Sequence, residues 1–126
     1  MEAEKPTIIL IENDPLSLSL YERELSPYFS LVVCGTESRA QAALLQEKVE
    51  LVILEPANGN QWAWNFLDKL QADRSLNRIP VIFCTVLDER KKALEWGAAA
   101  YLIKPVYANV LRQHAQELLV KQGGAY

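Results

Sequence analysis

The sequence predicts an α/β protein: a doubly wound (βα)5 three-layer sandwich with a parallel sheet in strand order 2-1-3-4-5. Three observations carry that expectation. Five short apolar runs, 8–11, 31–34, 51–54, 81–84 and 101–103, are rich in Val and Ile and nearly continuous rather than alternating. Strands buried on both faces have that pattern. Between the runs lie segments with helical spacing, and right-handed crossovers then place helices on both faces of the sheet. The length of 126 residues, half of them hydrophobic and 23% charged, suits a single domain, 1–126, with an ordered core over about 6–121.

Each helix has its own signal. Asp14-Pro15 offers an N-cap followed by a proline at the first helical position, opening a helix that carries Leu16, Leu20, Tyr21 and Leu25. The second, 37–46, is alanine-rich, with Ala40, Ala43 and Leu44 on one face. Trp64, Leu67 and Leu70 recur in the third, and Ala93 and Leu94 mark a short fourth. The fifth, from about Val106 to Lys121, repeats Leu111, Ala115 and Leu118 at core spacing. Gly123-Gly124 reads as a frayed tail.

Composition narrows the function classes. A net charge of -3 gives no electrostatic reason to expect nucleic acid or an anionic membrane as partner. Cys34 and Cys84 each lie in an apolar run and read as buried, reduced thiols, at a spacing that suits neither zinc nor a disulfide framework. The acidic, polar start is not a signal peptide and no apolar run approaches a membrane span, so a cytoplasmic protein is expected. A nucleophile–base pair is not evident, since the single histidine, His114, falls on the last helix where a surface role is expected. An enzyme is therefore not expected.

In such a sheet the site lies beyond the carboxyl ends of the strands. Strand one ends in Glu12-Asn13-Asp14, strand three in Glu55, strand four in Thr85 and strand five in Lys104-Pro105. Carboxylates with a hydroxyl and an ammonium at one rim suit a divalent cation or a phosphoryl group.

These stretches resemble the receiver domain of bacterial response regulators, a CheY-like, flavodoxin-like fold. Ile-Leu-Ile-Glu-Asn-Asp-Pro (9–15) is similar to the family's first strand and acidic cluster, and Val-Glu-Leu-Val-Ile-Leu-Glu (49–55) to the strand ending in the phosphoacceptor aspartate. Ile-Pro-Val-Ile-Phe-Cys-Thr (79–85) resembles the strand with the switch hydroxyl, and Gly-Ala-Ala-Ala-Tyr-Leu-Ile-Lys-Pro (97–105) the stretch with the switch aromatic and the lysine. The resemblance implies a signalling module of a two-component or phosphorelay-derived system, partnered by a histidine kinase, an output domain or another signalling protein. It places the metal-binding acidic pair on Glu12 and Asn13, the phosphoacceptor on Glu55, and the phosphate-binding and switch groups on Thr85, Tyr101 and Lys104, with a cis Lys104-Pro105 peptide.

The departures fall at the chemistry. Asn13 replaces a charged metal ligand with a neutral amide, while Glu12 and Glu55 each add a methylene, about 1.5 Å of reach. Mg²⁺ demands near-octahedral oxygen ligation, and in-line transfer tolerates little misplacement. Metal binding is thus expected to be weak or absent, using Glu12, Asn13, Glu55 and the Ala57 carbonyl if it occurs, with no other cofactor. The loop 56–62 lacks the family's usual run, and the stretch from Thr85 to Lys104 is shorter than the family's. The sequence reads as a pseudo-receiver acting by protein–protein interaction, with Glu55 able to pair with Lys104 as a fixed anion. Two alternatives stay open: a phosphorylatable regulator with an atypical acidic pocket, and a flavodoxin-like cofactor-binding domain, which the anionic loop after strand one disfavours. The expected working face, for a partner or for a homodimer through helix 4, strand 5 and helix 5, includes Trp96, Ala98, Ala99, Tyr101 and Ile103, the alternative being that Trp96 folds down onto the sheet and the alanines ease packing. Trp64 is expected in the core, Trp62 near the rim, and the Lys91-Lys92 pair on a solvated helix face.

Overall fold

The computed structural model describes residues 5–57, 59–86 and 89–123, with side chains to 121. Its elements alternate as β1 (Thr7–Ile11), α1 (Pro15–Leu25), β2 (Ser30–Val33), α2 (Glu37–Gln46), β3 (Val49–Leu54), α3 (Ala63–Ala72), β4 (Val81–Thr85), α4 (Arg90–Trp96), β5 (Ala100–Ile103) and α5 (Ala108–Gly123). The five strands are parallel in order β2-β1-β3-β4-β5, the order that the pattern of runs and crossovers predicts. Glu12, Glu55 and Lys104 therefore leave the sheet at one rim, because parallel strands all present their carboxyl ends there.

Alternate strand residues feed two core layers. Ile9, Ile11, Val52, Leu54 and Phe83 pack beneath α2, α3 and α4, while Ile8, Leu10, Leu51, Ile53 and Ile82 pack against α1 and α5. Local chemistry sets the helix ends. Asp14 caps α1 by accepting a hydrogen bond from the Ser17 N–H at 2.9 Å, and hydrogen bonds from Ser17 hold its carboxyl below the usual range. Thr36 caps α2 through Arg39 N–H at 3.2 Å. Gly97 ends α4 with φ of 107°, a left-handed conformation that a side chain would oppose.

Several residues at helical spacing are not core. On α1 only Tyr21 and Leu25 are buried, whereas Leu16 is 69% and Leu20 41% exposed. On the seven-residue α4 only Ala93 is buried, and Leu94 faces solvent. A helix that short covers the sheet with one position. The fifth helix begins two residues later than expected and buries Leu119 more fully than Leu118. Both cysteines are free and buried. Cys84 lies 3.3 Å from the Tyr21 hydroxyl, which burial and that contact push upward in pKa.

Phe83 is fully buried and joins three aromatic neighbours, so Phe83→Ala should cost about 3–5 kcal/mol in urea unfolding. Leu94→Ala should stay within about 0.5 kcal/mol of the parent.

Candidate functional site at the carboxyl rim of the sheet

The polar rim is built from four strand ends. Glu12 follows β1, Glu55 follows β3, Thr85 closes β4 and Lys104 follows β5; Glu12, Glu55 and Thr85 are almost wholly buried. The Lys104-Pro105 peptide is cis. The ammonium of Lys104 donates to Glu12 Oε1 at 2.6 Å, with the two side chains only 9% and 1% exposed. Glu12 Oε2 accepts from the Asp14 N–H at 3.0 Å. Both oxygens of this carboxylate are thus engaged within the protein.

The expected Lys104–Glu55 pair is therefore not the one that forms. Lys104 takes Glu12 because that carboxylate also gains a backbone donor from the first turn of the β1–α1 connection, and one ammonium held at 2.6 Å fixes the geometry. Glu55 is left 1% exposed, and neither oxygen closes a hydrogen bond of ordinary geometry among the described residues. Burial pushes its carboxyl above the usual range. The Thr85 hydroxyl and the Lys104 charge act against that shift, and the Glu12 charge adds to it.

Asn13 reaches the opposite wall. Its Nδ2 donates at 2.9 Å to Oδ1 of Asn60, a fully buried residue whose own Nδ2 has no hydrogen-bond partner among the described residues. Asn60 was not singled out by the sequence. The signal available was Gly59, whose φ of 90° turns the chain there and whose open side brings it to within 3.3 Å of Asn13 Nδ2 for an added Cβ. Ala57 is buried in the same connection.

Tyr101 is half-buried and stacks on Phe83 at 6.2 Å. Its hydroxyl oxygen accepts from the Glu89 N–H at 2.7 Å, and the Arg90 guanidinium lies 5.5 Å above its ring. Trp96, expected on the exposed face, instead folds down edge-on to Phe83 at 6.4 Å. The buried β4 ring gives it more apolar surface than the strip beside α4 does. Ala99 and Ile103 remain exposed, and Ala98 is half-buried. Trp64 packs on Phe83 at 5.3 Å, and Lys92, exposed as expected, sets its ammonium 4.0 Å over the Trp64 ring. Trp62 is half-buried against Phe66, and His114 is half-buried on α5.

No protein-family model matches the chain. Over 120 residues it is 26% identical to a two-component response regulator-like protein of Arabidopsis thaliana, covering 90% of this chain and 40% of that protein. It is 29% identical over 102 residues to the transcriptional regulatory protein MalR of Bacillus subtilis, covering 78% of this chain and 43% of that one. A two-component response regulator from Clostridium difficile superposes with a TM-score of 0.79 at 20% identity, covering 94% of this chain and 98% of that one. The chain has the response regulator receiver fold. It spans less than half the length of these two curated relatives. Among the described residues of the receiver fold no helix is long and apolar enough to cross a membrane, and no group of three His, Cys, Asp or Glu is placed to hold a metal ion.

Two outcomes test the rim. Lys104→Met should cost about 3–5 kcal/mol, because it strands the buried Glu12 carboxylate without its cation, as chemical unfolding would measure. For Glu55 the pKa is raised in the folded state, so its contribution to stability is greatest below the ordinary carboxyl value and is lost as pH rises through the raised one. Glu55→Gln cannot ionise. It should melt with the parent near about pH 4 and above it near about pH 7, in thermal scans across that interval.

Proposed function

We propose that the chain is a receiver-like signalling module that acts by binding protein partners, with phosphoryl chemistry lost and Glu55 fixed where the family's acceptor would stand. One observation carries this reading: the ammonium expected to hold a phosphoryl oxygen is already bound to Glu12 at 2.6 Å. Support comes from the rest of the rim. Each Glu12 oxygen already accepts a hydrogen bond within the protein, Asn13 offers an amide already bonded to Asn60, and Glu55 is a carboxylate one methylene longer than aspartate. A hard cation of Mg²⁺ type needs several free oxygens in near-octahedral array, and this set fits it poorly. The module then needs no cofactor and is not an enzyme.

The partner is a protein, either a kinase, an output domain or another signalling protein in the cytoplasm. The surface best suited to it is the face of α4, β5 and α5. Exposed Leu94, Ile103 and Tyr107 give that face apolar area, with Ala99 beside them, while Trp96 and Tyr101 support it from beneath.

Intact-mass measurement after incubation with a small phosphodonor and Mg²⁺ should show no stoichiometric adduct, and beryllofluoride should leave the tryptophan emission unchanged. Asn13→Asp with Glu55→Asp should recover part of both responses. A full phospho-adduct on the unmodified chain would overturn the proposal.

A further inference from the structure

β2, one of the two edges of the sheet, is guarded by its shortness alone. β2, Ser30 to Val33, is the outermost strand beside β1, and it contains no charge and no proline. Its register with β1 runs without a bulge. Sheet edges are normally protected by such devices, because unpaired N–H and C=O groups invite another strand. Here the Ser30 N–H donates to Pro6 O at 2.9 Å and the Cys34 N–H to Leu10 O at 3.0 Å. In a parallel ladder alternate residues turn both backbone groups to the same neighbour, so Ser30, Val32 and Cys34 face β1. Leu31 and Val33 therefore direct their N–H and C=O groups outward.

Beside that edge runs a groove lined by Leu31, Val32, Val33, Arg39, Ala43 and Glu47. Its polar residues are arranged with a symmetry of their own. Arg39, Ala43 and Glu47 are spaced four apart along α2 and its C-cap, with the cation and the anion equidistant from a small residue. Arg39 and Glu47 are both exposed and form no ion pair among the described residues.

We propose that β2 is a self-association edge, taken by β2 of a second copy of this chain in antiparallel register centred on Val32. A two-fold axis normal to the sheet, midway between Val32 and Val32 of the second copy, sets Leu31 opposite Val33 of the second copy. That is a hydrogen-bonded pair, repeated by the symmetry, giving four new backbone bonds. The same axis runs the two α2 helices antiparallel past each other. Arg39 then meets Glu47 of the second copy, twice, while Ala43 between them stays buried against the sheet. The two patterns are independent, one in the backbone and one in side-chain charge, and a single axis satisfies both. Four strand residues make a small contact, so the dimer is weak, with a dissociation constant on the order of 100 µM. It leaves the α4–β5–α5 face free.

The test uses the whole chain in sedimentation equilibrium, with amide hydrogen exchange as a second reading. The parent should dimerise across the micromolar-to-millimolar range, and the amides of Leu31 and Val33 should gain protection as concentration rises. Arg39→Glu alone and Glu47→Arg alone each set like charges opposite one another and should weaken the dimer about tenfold. The double exchange should restore it to within about threefold of the parent. A parent that stays monomeric at about 2 mM would overturn the proposal, leaving the edge to some other occupant. So would a dimer that ignores both charge reversals but dissociates with Ile103→Lys, since that locates the contact on β5.

Discussion

One ammonium cannot sit at ion-pair distance from every carboxylate of a crowded rim, and much of this site follows from which one it takes. Lys104 and Glu12 lie at the ends of strands separated by two others, and both are removed from water. Desolvating two charges costs several kcal/mol each, so such a pair persists only with close geometry and further hydrogen bonds. The Asp14 N–H supplies one of those bonds. Asp14 is in turn fixed as the cap of α1, so the first helix, the first strand and the last strand meet at a single carboxylate. What remains for Glu55 is a buried place with weak support, and its raised affinity for a proton is the consequence.

The architecture was legible in the sequence because its determinants are local and redundant. Continuous Val- and Ile-rich runs mark doubly covered strands, and Asp14-Pro15 marks a helix start through backbone chemistry that tertiary structure does not override. The core-forming side of the helices was less legible. Leu16, Leu20 and Leu94 repeat at core spacing yet face solvent, since periodicity gives a stripe and not the width of sheet beneath it. The members of the site could be named from the strand ends, but their pairing could not. Glu12 and Glu55 both end strands at the rim, and a backbone donor two residues beyond Glu12 decided between them. Asn60 was hidden because a buried amide in a loop has no periodic signature; only the need of Asn13 for a partner points to it. The direction of Trp96 was likewise open, since a tryptophan at a helix end can serve a surface or a core.

The described residues of the β3–α3 and β4–α4 connections line the two sides of the polar rim. Asn13 and Asn60 join the β1 and β3 sides by a neutral hydrogen bond, where a charged pair would need a counter-charge. On the other side, the Glu89 N–H and the Arg90 guanidinium hold Tyr101 against Phe83. Each wall is thus tied by contacts internal to the chain, while the Glu55 carboxylate and the Asn60 Nδ2 between them stay buried without a hydrogen-bond partner among the described residues.

The placement of the tryptophans has an optical consequence. All three, Trp62, Trp64 and Trp96, pack on the side of the sheet covered by α2, α3 and α4, and the layer beneath α1 and α5 has none. Indole emission from this protein therefore reports on one half of its interior. Loosening of α5 against β3 would pass unseen by that signal, while any shift of Lys92 above the Trp64 ring would alter the local field on an emitting chromophore. The chain is asymmetric as a spectroscopic object, with one bright layer and one silent one, although its two cores are built from alternate residues of the same strands.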